Sequence, residues 1–261
     1  MKTAMLAIIR KDFRGITANR HLFSAILIVP LILTIVLPSI FVFLVHFAPE
    51  DQDLQKMVEL LPQASQSGSF ESTVIGLILN NIMPIFFLMI PIMTASIMAA
   101  SSFVGEKEKR TLETLLYCPL SLKQIFRSKV LASFLLSMLV SFISFFSMLL
   151  VLETEAFFLT RSLLLPSASW IVIMLVVSPA LSLIAITLIV RGSAKAQSVE
   201  ESQQAAVFLV IPVILLVVGQ FTGILLVSVW VLLGLGAVCA LLAWILIKKC
   251  MGRFTYEMLL K

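Results

Sequence analysis

Charge is the scarcest property of this chain, at 13% of its 261 residues, and five long stretches hold none. They run from Leu22 to Phe47, Ser72 to Val104, Val130 to Leu152, Ser162 to Val190 and Ser202 to Ile247. With 60% apolar residues and a mean hydropathy of +1.10, an ordinary soluble domain is excluded. Cysteine is nearly as scarce. Cys118, Cys239 and Cys250 show neither metal-ligand spacing nor the even framework of a disulfide-stapled domain. The two histidines, His21 and His46, sit near opposite ends of the first stretch, and no H-E-x-x-H occurs. No G-x-x-x-x-G-K-[ST] phosphate loop exists either, since none of the ten glycines precedes a lysine. No Asp or Glu falls in mid-span, and the chain is expected to bury no carboxylate. That argues against an intramembrane enzyme, and against an ion-coupled carrier that uses buried Asp, Glu or His as relay groups.

What is present is membrane-spanning helix. A hydrocarbon core about 30 Å thick takes roughly 20 helical residues to cross. The stretch from Ser202 to Ile247 is long enough for two crossings, and Gly219-Gln220-Phe221-Thr222-Gly223 is the place to turn. Six spans are therefore expected, at about 22–47, 73–104, 124–152, 168–190, 203–220 and 224–247. If the N-terminus is cytoplasmic, all of the 19 basic residues but Lys56 and Arg161 fall on the cytoplasmic side. The positive-inside rule counts Lys and Arg in this way, so both termini are placed in the cytoplasm. This placement also accounts for the pI of about 9.3, and no nucleic-acid partner is expected. The first apolar run is too long for a signal-peptide h-region and no A-x-A site follows it, so it reads as an anchor that stays.

Residues 1–21 read as a cytoplasmic amphipathic helix, with Met5, Ile9, Phe13 and Ile16 on one side and Arg10, Lys11 and Arg14 mostly on the other, the alternative being a frayed basic tail that only sets topology, since Gly15 weakens the helix. Such a helix would lie on the inner leaflet, in contact with lipid. Residues 48–72 form an external segment, and 248–261 a cytoplasmic tail. The second span carries Asn80, Asn81, Pro84 and Pro91, and predicts a kinked helix whose cytoplasmic end projects from the bilayer. In the third span Ser133, Ser137, Ser141, Ser144 and Ser147 recur at steps that place them on one helix face. Together with Asn80 and Asn81 this face is either a packing seam or a mildly polar wall of a translocation path.

Between the second and third spans lies a helix over 106–118, with Leu112, Leu115 and Leu116 on one apolar face among charges. Pro119 ends it, and Ser121 with Gln124 forms a capping box that starts the next helix. A three-leucine face rimmed by charge can rest on lipid or seat in a partner's groove.

The run GEKEKRTLETLLYCPLSLKQIFRSKVLA resembles the segment between the second and third spans of ABC-2 type transporter permeases. Those proteins show Gly-Glu-(Lys/Arg)-Glu-x-x-Thr-Leu-Glu-x-Leu-Leu, then Pro, then a basic entry to the next span. The closing stretch RFTYEMLL resembles the short tail of many members, whereas Cys118 has no counterpart in the motif. The resemblance implies an all-α, six-span permease whose cytoplasmic coupling helix docks on a separate ABC ATP-binding subunit. The positions carried over are Glu106, Glu108, Arg110, Thr111, Leu112, Glu113, Leu115 and Leu116. It further implies a second permease copy, as a homodimer or heterodimer, with ATP and Mg held by the partner subunit and no cofactor or metal on this chain. The location expected is a bacterial or archaeal plasma membrane. The missing mid-span charge points to export of an amphipathic, lipid-like or peptide substrate. The alternatives are a scaffold or force-transmitting subunit of an ABC complex and, further off, a secondary carrier.

Overall fold

The computed structural model describes residues 2–47, 74–76, 78–109, 111, 120–160, 166–193, 196, 198–204, 206–221 and 228–253. All regular structure among them is helical. Six helical segments are long and apolar enough to cross a membrane: Arg20–Phe47, Val74–Glu108, Leu122–Leu159, Ala168–Gly192, Val199–Gln220 and Val229–Gly252. The expected all-α, six-span class is therefore found. The external segment 48–72 lies outside the described residues, as do 110 and 112–118 of the expected coupling helix over 106–118, while α4 runs to Glu108 and Lys109 is a turn.

Helix α1 (Lys2–Ala18) precedes the first span, α2 (Arg20–Phe47), with only Asn19 between them. The Asn19 Oδ1 accepts the His21 N–H at 3.1 Å, so a single residue both turns the chain and caps α2. Buried residues of α2 recur at four-residue steps, Ile26, Pro30, Thr34, Pro38 and Val42, and form the stripe that meets the third span. Ile28, Ile32, Val36 and Ile40 remain exposed on the other side, as lipid contact requires.

The second span is the centre of the molecule. It is a π-helical stretch Ile78–Ile82, then α3 (Met83–Phe87), a turn at Leu88, and α4 (Met89–Glu108). The prolines explain these departures from α geometry. Pro84 sits in the first turn of α3, where a missing N–H costs least, and Pro91 does the same in α4. Ala95, Ala99 and Ala100 are fully buried on α4. Lipid supplies no hydrophobic drive between helices, so such small side chains hold the bundle by close van der Waals approach.

Around α4 pack α5 (Leu122–Thr160) and the fourth span, which is α6 (Ala168–Val172), a π-helical stretch Ile173–Val177, and α7 (Ser178–Gly192). Short α8 (Val199–Gln204) lies against α4, and α9 (Val207–Phe221) touches α3 and α4. Helix α10 (Val229–Arg253) closes over α7 and the second π stretch. Gly236 permits this last contact, because a Cβ there would stand 2.8 Å from Val176 Cγ1. The helix α9 continues through Gly219 to Phe221, and α10 begins at Val229.

Candidate functional site

The buried stripe of α1 is Ile8, Asp12 and Ile16, four residues apart, so one carboxylate lies at the middle of its packed face. Ile8 packs on Ile125, and Ile16 joins Ile26, Met98, Leu136 and Val140. The stripe is thus seated on protein, with Arg10 and Arg14 exposed behind it. Met5, Ile9 and Phe13, expected on the apolar face, flank the stripe half-buried. The spacing was legible, but an aspartate among apolar residues reads as a polar edge until its partners are known.

Those partners come from α4 and α5. Ser102 Oγ donates to Asp12 Oδ2 at 2.7 Å. Lys129, only 3% exposed, places Nζ 2.8 Å from Glu106 Oε2 and donates to the Ser102 carbonyl. Lys11 Nζ donates to Glu106 Oε1 at 2.5 Å, closing the cluster from α1. The Lys129 ammonium also lies 5.3 Å from the centre of the Phe103 ring, within cation–π range. Burying an ammonium costs several kcal/mol unless it is paired and hydrogen-bonded, and here a carboxylate, a carbonyl and a ring face share that task. Burial pushes the Asp12 carboxyl above its ordinary value, against the lowering influence of Lys129 and of the Ser102 hydrogen bond. The expectation that no carboxylate is buried is therefore corrected. Asp12 and Glu106 are both buried, Asp12 midway along α1, which is not a span, and Glu106 in the last turn of α4 rather than in mid-span.

The cluster leads directly into the segment singled out by sequence. Thr111 N–H donates to the Glu106 carbonyl at 2.9 Å, and Lys109 N–H to that of Gly105 at 3.1 Å. The chain leaving α4 is thus folded back on the residue that Lys11 and Lys129 hold. On the far side of the segment the capping box forms: Ser121 N–H donates to Gln124 Oε1 at 2.9 Å and Gln124 N–H to Ser121 Oγ at 3.4 Å. Lys107 Nζ reaches the Ala196 carbonyl at 3.5 Å, joining the loop after α7 to the same end. A cavity of about 250 Å³ opens beside the cluster, lined by Lys11, Asp12, Gly15, Ser102, Glu106 and Thr111.

Of the residues carried over from the resemblance, Glu106 is buried in this cluster and Glu108 and Thr111 are exposed. Arg110, Leu112, Glu113, Leu115 and Leu116 lie outside the described residues. Ser133, Ser137, Ser141 and Ser144 are fully buried along α5, and Ser147 is half-buried. Ser137 Oγ donates to Ser182 Oγ of α7 at 3.2 Å. At the opposite end, Asn80 Oδ1 accepts the Ser167 N–H at 2.8 Å, and Asn81 is half-buried without joining the serine face. Asp12, Ser102 and Lys129 were not singled out from sequence. Lys129 closes the basic entry to α5 together with Lys123 and Arg127, so nothing in the sequence set it apart and it was counted only as a topology charge.

A family model described as ABC-2 family transporter protein matches residues 6–245. No curated protein and no solved structure matches the chain at a significant level.

Proposed function

The chain belongs to the ABC-2 transporter family, and from that premise we propose that it is the membrane subunit through which a separate ATP-hydrolysing subunit drives export of an amphipathic substrate. The family is one of multi-pass membrane transport components that work with an ABC ATP-binding subunit. The finer reading is ours. Residues 106–118, of which 106–108 end α4 and Lys109 turns the chain, act as the coupling segment on the cytoplasmic face, with Leu112, Leu115 and Leu116 seated in a groove of the ATPase and Glu108, Arg110 and Glu113 on its rim. Two permease copies, identical or paired with a related chain, form the path between them. ATP and Mg sit on the partner.

The observation that carries this reading is the charged cluster at the root of the coupling segment. Glu106 is gripped by Lys129 of α5 and Lys11 of α1 at 2.8 and 2.5 Å. A push on residues 112–118 therefore meets a point fixed to three elements, and moves them as a unit rather than bending a loose loop. Rigid-body tilting of spans between inward- and outward-facing states is the motion such a root transmits. What supports the substrate class is the middle of the spans, where the buried polar side chains among the described residues are hydroxyls such as Thr94, Ser96, Ser137, Ser141 and Ser182, while Glu106, Lys129 and Gln220 lie toward span ends. The test is the pair of substitutions Leu112→Asp and Leu115→Asp. They should abolish co-purification of the ATPase while the chain still inserts in the membrane. Undiminished co-purification would refute the docking role.

A further inference from the structure

The cavity of about 250 Å³ beside the charged cluster lies where apolar span gives way to charge. Lys11, Asp12, Gly15 and Ile16 of α1 line it on one side, and α4 between Ser101 and Glu106 on the other. The charge-free stretch of the second span ends at Val104, so the cavity stands at the depth of lipid headgroups. Its volume is far above the roughly 10–15 Å³ that one water needs, and admits a group of several atoms. Part of the polar lining is already engaged, since Lys11 pairs with Glu106 and Thr111 Oγ1 donates to the Glu106 carbonyl at 3.4 Å. Two groups are not. Asp12 Oδ2 accepts the Ser102 hydroxyl, but Oδ1 has no hydrogen-bond partner among the described residues. Nor is Oδ1 sealed from solvent, and for a side chain 8% exposed the opening beside it is this cavity. Lys109, where the chain leaves α4, also lines the cavity and is exposed, with no ion pair among the described residues. At Gly15 the wall is bare backbone, and a Cβ there would meet nothing within 4 Å.

We propose that this cavity binds a phosphate carrying a primary amine, the phosphoethanolamine headgroup of a lipid in the adjoining leaflet. The two unengaged groups ask for opposite charges. Asp12 Oδ1 lacks a donor, and an ammonium brings three N–H groups to a carboxylate, the stronger, charge-assisted kind of hydrogen bond. Lys109 lacks an anion, and the phosphate supplies it. Lys11, whose side chain is 54% exposed, adds positive potential on the same side without leaving Glu106. Either half of the headgroup alone fits worse. A phosphate without an amine leaves Oδ1 unpaired and facing an anion, and a trimethylated amine has no N–H to give. An amine without a phosphate sits beside Lys109 with nothing between the two cations. Burial holds the Asp12 carboxyl above its ordinary value, and an ammonium at Oδ1 would relieve that. Depth assigns the group to a lipid rather than to the free phosphomonoester. The binding requires only this chain and does not rest on the transport reading, although Thr111 sets an occupant against the root of the segment 106–118.

The experiment is native mass spectrometry of the full chain, purified in detergent without any ATPase. It is titrated with dihexanoyl phosphatidylethanolamine, phosphatidylcholine and phosphatidylglycerol, which share their chains, and with free O-phosphoethanolamine. The ethanolamine lipid should bind as a single copy at a midpoint roughly fivefold or more below that of either other lipid, the discrimination one net hydrogen bond supplies. Free O-phosphoethanolamine should bind more weakly than the lipid. Gly15→Leu should abolish the preference, because its side chain enters the cavity without a clash and alters no charge. Asp12→Asn should bring the ethanolamine and choline lipids to within about twofold of each other, since it removes the charge from the ammonium's partner. Lys109→Ala should weaken the ethanolamine lipid. The comparison of lipids on the unaltered chain decides the matter should a variant fold poorly. Equal midpoints for the three lipids, or a preference that survives Gly15→Leu, would overturn the site. A preference untouched by Asp12→Asn would overturn the pairing of the ammonium with Asp12. Free O-phosphoethanolamine binding as tightly as the lipid would overturn the lipid source.

Discussion

Lys129 is a lysine with almost no access to water, and its removal has a predictable sign. Lys129→Ala leaves the Glu106 carboxylate facing only the half-exposed Lys11, and uncompensated buried charge costs about 3–5 kcal/mol. Lys129→Met combined with Glu106→Gln should recover much of that loss, and a double-mutant cycle on unfolding in detergent would read the coupling. Additive losses would show the pair to be independent. Asp12 gives a pH prediction. Its docked pKa is raised from 3.8 by burial, so its contribution to docking is fully present below the undocked value and is lost as pH rises through the docked one. Lys11, Glu106, Lys129 and Ser102 face it from α1, α4 and α5. Asp12→Asn should therefore tighten α1 at neutral pH and flatten the acid-side rise in protection, read by hydrogen exchange of α1 amides. Weaker protection in the variant at neutral pH would contradict this. These residues were hard to find in the sequence for a physical reason. A buried charge is recognised by its partners, and Asp12, Glu106 and Lys129 are brought together only by the packing of three helices.

At the scale of elements, far more was legible. Membrane helices announce themselves by length and missing charge, because a bilayer cannot hydrate either exposed backbone or unpaired ions. The capping box at Ser121 and Gln124 was equally readable, since both partners lie within one turn. The π-helical stretches were not, although Pro84 and Pro91 marked the second span as irregular. In the fourth span Pro179 follows Ile173–Val177 in the first turn of α7, as Pro84 follows Ile78–Ile82, but a proline alone does not tell a π stretch from a simple kink. Nor could the sequence say that Gly236 is a contact point, because its neighbour Val176 comes from another span. Gly236→Leu must displace a stiff β-branched side chain and should destabilise the packing of α10 on the fourth span by about 1–3 kcal/mol. A thermal melt in detergent would read this as a lowered midpoint, and an unchanged melt would show that α10 is free to shift.

At the scale of the whole molecule, α4 is surrounded by the other spans, while α2, α9 and α10 turn long apolar faces outward. The charged cluster ties α1, α4 and α5 at one end, and the packed rings of Phe87, Phe145 and Trp170 join the second, third and fourth spans at the other. In the coupling we propose, movement at the first end is carried along α4 and α5 to the second. That arrangement has a use only if something outside the chain does work on residues 106–118. The most direct test is to purify the tagged chain from gently solubilised native membranes and identify its partners by mass spectrometry. The account predicts a soluble subunit with a Walker-A motif at about one copy per chain. Recovery of the chain alone, or with membrane proteins only, would contradict it.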